Sequence, residues 1–121
     1  MLERSFVVFC VAVVLGIVLA SLHLRPEGPR PPWQLGNLHG IIGAAGFGLL
    51  LIALGGAPRG LTNGTAPFGV FAAGLFALAL LAGLGLFGLL VAGRRPGFLI
   101  AVHAGLAIAG FVVLAAYVFA G

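Results

Sequence analysis

The sequence predicts an all-α membrane protein, a four-helix up-down bundle in which each helix crosses the bilayer once. Of its 121 residues, 62% are hydrophobic and only 7% are charged, whereas a soluble domain has about 25% charged residues. The charged residues fall in four short clusters. The uncharged runs that follow these clusters are each long enough for one membrane-spanning helix of about 20 residues, and none is long enough for two. These runs are 5–24, 31–58, 60–93 and 96–121.

The spans and their connections follow in order from these runs. We expect span one to be a retained helix rather than a cleaved signal peptide, because its n-region is nearly neutral and its apolar run is long. The proline-rich segment 25–32 that follows cannot form a helix, because its prolines lack the backbone N–H that a helix interior needs. A polar turn separates spans two and three, and a tight turn from Gly93 to Pro96 leads into span four. The spans are expected at about residues 5–23, 32–54, 68–92 and 97–117, which makes residues 1–121 a single integral-membrane domain.

The six basic residues, all of them arginine, lie at the ends of the predicted spans. That placement is typical of membrane-interface anchors and topology signals rather than of a nucleic-acid surface. Because successive spans run in opposite directions, four of the six share one face with the three histidines. The positive-inside rule then places this face toward the cytoplasm of a bacterial plasma membrane and both termini outside. The four are Arg25, Arg30, Arg94 and Arg95, and Arg4 and Arg59 lie at the opposite face.

The residues that the spans lack exclude several kinds of chemistry. No Asp, Glu or Lys lies inside a predicted span, so the chain has neither a proton relay nor a carboxylate for a coupled ion. It has no Ser/His/Asp set and no loop long enough to build a soluble active site, so we expect it not to be an enzyme. Cys10 is alone in the middle of span one, which indicates a small packing residue rather than a disulfide or a metal ligand.

An internal repeat links spans two and four. The pattern R-x-P-x2-L-x3-H-x5-A-G-F-x2-L begins at Arg30 and again at Arg94, 64 residues later, and it includes His39 and His103 at the same position. Spans one and three show no comparable match. A proline suits the first turn of a helix, and each histidine comes seven residues after it, about 10 Å along the helix. We therefore expect spans two and four to be parallel neighbours with two imidazoles facing each other at equal depth.

Two opposed imidazoles inside a membrane favour bis-histidine axial ligation of a haem b iron. The small residues that follow each histidine are expected to leave a slot for the macrocycle, with Phe47 and Phe111 at its border. Arginine suits carboxylate pairing, so the haem propionates are expected to meet Arg30 and Arg94. His23 lies close to the water and is expected to be an interfacial residue whose replacement changes little. The slot residues are Gly43 and Ala107 one turn deeper than the ligands, and Gly46 and Gly110 two turns deeper.

These residues resemble the b-type membrane cytochromes, loosely the cytochrome b561-like four-helix bundles, in which haem is held by histidines on alternate helices. The resemblance covers His39 and His103 with their small neighbours on spans two and four. It implies a small electron-transfer protein, or the cytochrome subunit of a larger membrane redox complex, that passes electrons between quinone and a partner protein. Such proteins commonly hold a second haem at the opposite face, where this chain has no histidine, so one haem is expected.

Two other functions are compatible with the same sequence. A cofactor-free accessory subunit would pack beside a larger membrane complex, which suits Gly- and Phe-rich spans with almost no mass outside the bilayer. A pigment-binding subunit would use each histidine as a single ligand to a chlorophyll-type magnesium. An absorption spectrum separates the three functions.

Overall fold

The computed structural model describes all 121 residues, which form four α-helices and no strand. Each helix is long and apolar enough to cross a membrane, so the predicted fold class is confirmed. The first helix begins about three residues before its predicted start, and the last helix ends about three residues after its predicted end. The helices are α1 (Leu2–His23), α2 (Trp33–Leu54), α3 (Phe68–Val91) and α4 (Gly97–Ala120).

Proline precedes three of the four helices: Pro32 before α2, Pro67 before α3 and Pro96 before α4. Proline has no backbone N–H, so it removes one of the donors that a helix start would leave without a partner. The turn between α3 and α4 is closed by Gly93, whose φ of +85° lies in the left-handed region that glycine adopts without strain. Short connections of this kind keep consecutive helices antiparallel and adjacent.

The four helices form a ring in which α1 and α3 each pack against both α2 and α4. The backbones of α1 and α3 do not approach each other closely, and neither do those of α2 and α4, so each of these pairs lies diagonally across the bundle. The predicted contact between the second and fourth spans is therefore wrong. The physical reason is that α3, joined to α4 by a short turn, packs against both α2 and α4 and so separates their backbones. Their side chains can meet only across the bundle axis.

Two phenylalanine rings fill the centre of the bundle. Phe9 of α1 and Phe76 of α3 are stacked with ring centroids 3.8 Å apart. Gly46 and Gly110 lie against them, since a Cβ atom at either glycine would come within 3.2 Å of the neighbouring ring. Beside this stack, the Ser5 hydroxyl donates a 2.9 Å hydrogen bond to the Gly46 carbonyl. This bond stabilises the contact between α1 and α2, which matters because lipid provides no hydrophobic driving force for helix association.

The packing extends the repeat to α1 and α3, whose sequences show no match comparable to that of α2 and α4. Every buried residue of α1 corresponds to a buried residue of α3 that lies 67 positions later. The offset exceeds the 64 positions between α2 and α4 because the first hairpin has a longer connection. The bundle is thus two similar hairpins, α1–α2 and α3–α4. The corresponding pairs are Leu2 and Gly69, Ser5 and Ala72, Phe9 and Phe76, Ala12 and Ala79, and Leu19 and Leu86.

Both ends of the chain lie at the same face as the α2–α3 loop. Arg59 in that loop donates a 2.9 Å hydrogen bond to the Val118 carbonyl near the end of α4, and Asn63 donates to the Ala120 carbonyl. We therefore expect cysteines at Glu3 and Gly121, in a Cys10→Ser background, to react with a membrane-impermeant thiol reagent from the same side. A cysteine at position 94 should react from the other side. Labelling of positions 3 and 121 from opposite sides would contradict the bundle topology.

Candidate functional site

The two repeat histidines meet at the bundle axis. His39 of α2 and His103 of α4 are both half-buried, and their ring centroids lie 6.0 Å apart with the ring planes at 86°. Since α2 and α4 are diagonal helices, the imidazoles reach toward each other across the interior rather than across a shared helix contact. The structure thus brings together the two predicted ligand residues, although not on adjacent helices.

Each imidazole rests on a glycine of the other helix in its own hairpin. A Cβ atom at Gly16 of α1 would lie 2.9 Å from Cε1 of His39, and one at Gly83 of α3 would lie 2.9 Å from Cε1 of His103. Any side chain at these positions would have to displace the ring. Sequence reasoning missed both glycines. The signal that reveals them is the 67-residue correspondence between α1 and α3, which pairs Gly16 with Gly83.

A backbone hydrogen bond orients one ring. Nδ1 of His103 lies 2.7 Å from the Ala79 carbonyl oxygen, and because a carbonyl only accepts, Nδ1–H is the donor. This leaves Nε2 as the nitrogen with a free lone pair, the arrangement that metal-binding histidines usually have. The corresponding carbonyl for His39 is that of Ala12, which lies beside the ring. The Nδ1 atom of His39 is buried and makes no hydrogen bond in this geometry.

The spacing of the rings fits a metal ion held between them. A metal–imidazole bond of about 2 Å on each side, plus about 1.1 Å from each nitrogen to its ring centre, gives a separation of about 6 Å. The observed separation is 6.0 Å. No group of three or more His, Cys, Asp or Glu side chains gathers anywhere in the chain, so two imidazoles are the whole donor set. An ion with only two protein ligands needs further donors, and a macrocycle with four ring nitrogens supplies them.

The space around the pair differs from the predicted slot. Gly43, one turn deeper than His39, is open, since a Cβ atom there would meet nothing within 4 Å, and Ala107 is half-buried. Two turns deeper, however, Gly46 and Gly110 contact the rings of Phe9 and Phe76. The stacked phenylalanines thus occupy the level at which the sequence predicts the deeper part of the slot.

The predicted border residues also lie elsewhere. Phe47 and Phe111 pack against the hydrophobic core, and Phe111 stacks on Phe6 with centroids 5.2 Å apart. Phe6 is in the first turns of α1, at the end of the bundle away from the histidines. The aromatic residues two turns below the histidines are instead Phe9 and Phe76.

Arginines cross the mouth of the bundle above the histidine pair. Arg95 donates a 3.0 Å hydrogen bond to the Arg25 carbonyl, which ties the α3–α4 turn to the α1–α2 loop. Arg30 reaches across in the opposite direction, and its Nη1 lies 3.6 Å from where a Cβ atom on Gly93 would be. Arg94 is exposed. These guanidinium groups offer donors for carboxylates at the polar edge of a bound cofactor.

Comparisons with protein-family models, with curated proteins and with solved structures find no match for this chain. The chemistry of the site therefore follows from its own residues.

Proposed function

We propose that this protein is a small integral-membrane haem b electron-transfer protein, or the cytochrome subunit of a larger membrane redox complex. His39 and His103 are the two axial ligands of its single haem. The observation that carries the proposal is the 6.0 Å separation of two imidazoles at the bundle axis. The hydrogen bond from His103 to the Ala79 carbonyl supports it, because it leaves the opposite ring nitrogen free to bind iron.

The residues around the pair suit electron transfer rather than catalysis. A bound haem supplies an iron that accepts and donates one electron. If both His39 and His103 held the iron, no coordination site would remain open for a substrate. The stacked Phe9 and Phe76 fill the centre of the bundle below the pair with apolar rings. Arg30 lies across the mouth, where it balances the charge of the propionates.

The outer surface of the bundle is apolar, which indicates the kind of partner it contacts. Large apolar side chains stay exposed on all four helices, for example Val7, Ile52, Leu81 and Val112, and such a surface contacts the lipid bilayer. Electron donors and acceptors that reach this surface are a membrane quinone and neighbouring membrane subunits of a redox complex. The excess of arginine at the histidine-bearing face favours the cytoplasmic side of a bacterial plasma membrane for that face, with both termini outside.

An absorption spectrum of the purified protein tests the function. We expect dithionite reduction to produce the sharp bands of a six-coordinate haem b. A red-shifted pigment band would instead support binding of a chlorophyll-type magnesium. A spectrum with nothing above the protein absorbance would contradict the haem proposal and favour the cofactor-free accessory subunit.

Replacement of a single arginine at the mouth is expected to keep the haem and lower its potential. A cation near the propionates favours the reduced haem, which carries one positive charge fewer, so Arg30→Ala or Arg94→Ala should lower the midpoint potential by roughly 20–40 mV. Spectroelectrochemical titration measures the shift. Arg4→Ala, at the opposite face, is the matched control and should leave the potential unchanged. An equal shift in all three variants would show that the arginines at the mouth have no special role.

A further inference from the structure

His23 is a half-buried histidine that haem ligation leaves unused. It is the last residue of α1, and its Nδ1 atom is buried without a hydrogen-bond partner. It follows Gly16 by seven residues, which places it about 10 Å further along α1 on nearly the same side of the helix. Because Gly16 contacts the His39 ring, His23 lies on the inner side of α1, between the histidine pair and the arginine-rich face.

The charged groups near His23 come from the two connections at this face. The α1–α2 loop contributes Arg25, Glu27 and Arg30, and the α3–α4 turn contributes Arg94 and Arg95. Of these, Arg95 donates a hydrogen bond to the Arg25 carbonyl, two residues after His23, and Arg30 reaches across to Gly93. The neighbouring helices α2 and α4 bring only His39 and His103, and α3 brings no titratable group. Both of these arginines are positive, and negative charge that arrives nearby offsets the effect of such cations on a neighbouring imidazole.

We propose that His23 is the redox-linked proton site of this protein, binding one proton when the haem between His39 and His103 gains one electron. This inference rests on the proposed function. The electron comes from a one-electron donor, such as dithionite in solution or a quinol in the bilayer, and reduces the iron from ferric to ferrous. The proton comes from water at the arginine-rich face and forms one N–H bond on the imidazole. Oxidation releases both.

Electrostatics couples the two events. An added electron lowers the net positive charge of the site by one, and over about 10 Å in a partly buried region this change is poorly screened. It offsets the repulsion from Arg30 and Arg95, and His23 has a ring nitrogen free to respond. The arginines themselves stay charged in both states. A quinol loses protons together with electrons, so a proton acceptor beside the electron acceptor fits that class of donor.

The pH dependence of the midpoint potential tests this proposal. We expect the potential of the haem-loaded protein to fall as the pH rises between about 5 and 8, the range in which histidines titrate, by up to about 59 mV for each tenfold drop in proton activity. The His23→Gln variant should keep the haem spectrum but lose this slope. Arg94→Gln, the control, should lower the potential equally at every pH and keep the slope.

Each outcome separates this inference from the proposed function. A haem spectrum with the same slope in His23→Gln would assign the proton to another group, such as a propionate, and overturn the inference alone. So would a pH-independent potential in the unsubstituted protein. Absence of haem from that protein would overturn both. If His23→Gln does not fold, NMR of the unsubstituted protein decides: at one pH the His23 ring must be more protonated in the reduced form than in the oxidised form.

Discussion

Replacing either His39 or His103 with alanine is expected to abolish the six-coordinate haem spectrum and to lower haem content more than about tenfold. Six-coordination requires both imidazoles, and no other His, Cys, Asp or Glu stands near enough to substitute. The ring pair at 6.0 Å is the only such arrangement in the chain. The ratio of haem to protein after purification, together with oxidised and reduced absorption spectra, measures the effect.

His23→Ala is the matched control for this pair, because it removes an imidazole at the same membrane face without touching the two rings. It should retain the haem and its absorption bands. If His39→Ala or His103→Ala kept a six-coordinate spectrum, the assignment of the ligands would be wrong. A loss of haem in all three variants alike would indicate general unfolding.

Replacing Gly83 or Gly16 with valine is expected to prevent haem binding almost as completely as removing a ligand. A valine at either position would bring its Cβ within 2.9 Å of Cε1 of the neighbouring imidazole, and the ring would have to move. At Gly83 the displacement also breaks the 2.7 Å hydrogen bond from His103 to the Ala79 carbonyl. We therefore expect Gly83→Val to lose more haem than Gly16→Val, as measured by haem content and visible spectrum.

Gly85 provides a control on the same helix. A Cβ atom there would meet nothing within 4 Å, and the residue is exposed, so Gly85→Val should bind haem like the unsubstituted protein. It carries the same change in helix propensity as Gly83→Val. Circular dichroism should show comparable helix content in both variants. Normal haem binding by Gly83→Val would show that close approach of the α3 backbone to His103 is not required.

The membrane-spanning architecture was predictable because it depends on local properties of the chain. Charged clusters mark where helices must end at the membrane surface, and the lengths of the apolar runs fix one helix in each. The repeat at 64 residues identified His39 and His103, and their equal depth followed from counting residues along two parallel helices. None of these steps needs information on which helices touch.

The packing around the site was not predictable in the same way. All four helices are apolar on every side, so periodicity does not show which face of a helix points inward. The small residues two turns below the ligands were compatible with a slot, and only the structure shows that Phe9 and Phe76 fill that level. Gly16 and Gly83 stayed hidden because the first hairpin has the longer connection, which moves the match between α1 and α3 to a different offset.

Electron paramagnetic resonance of the purified ferric protein tests the central claim most directly. The claim is that His39 and His103 bind one iron from opposite sides with their ring planes near perpendicular, at 86°. It predicts one low-spin ferric haem per chain, with the strongly anisotropic signal that perpendicular imidazole ligands give. A high-spin signal would show that one ring is not a ligand, and a protein without any haem signal would contradict the account altogether.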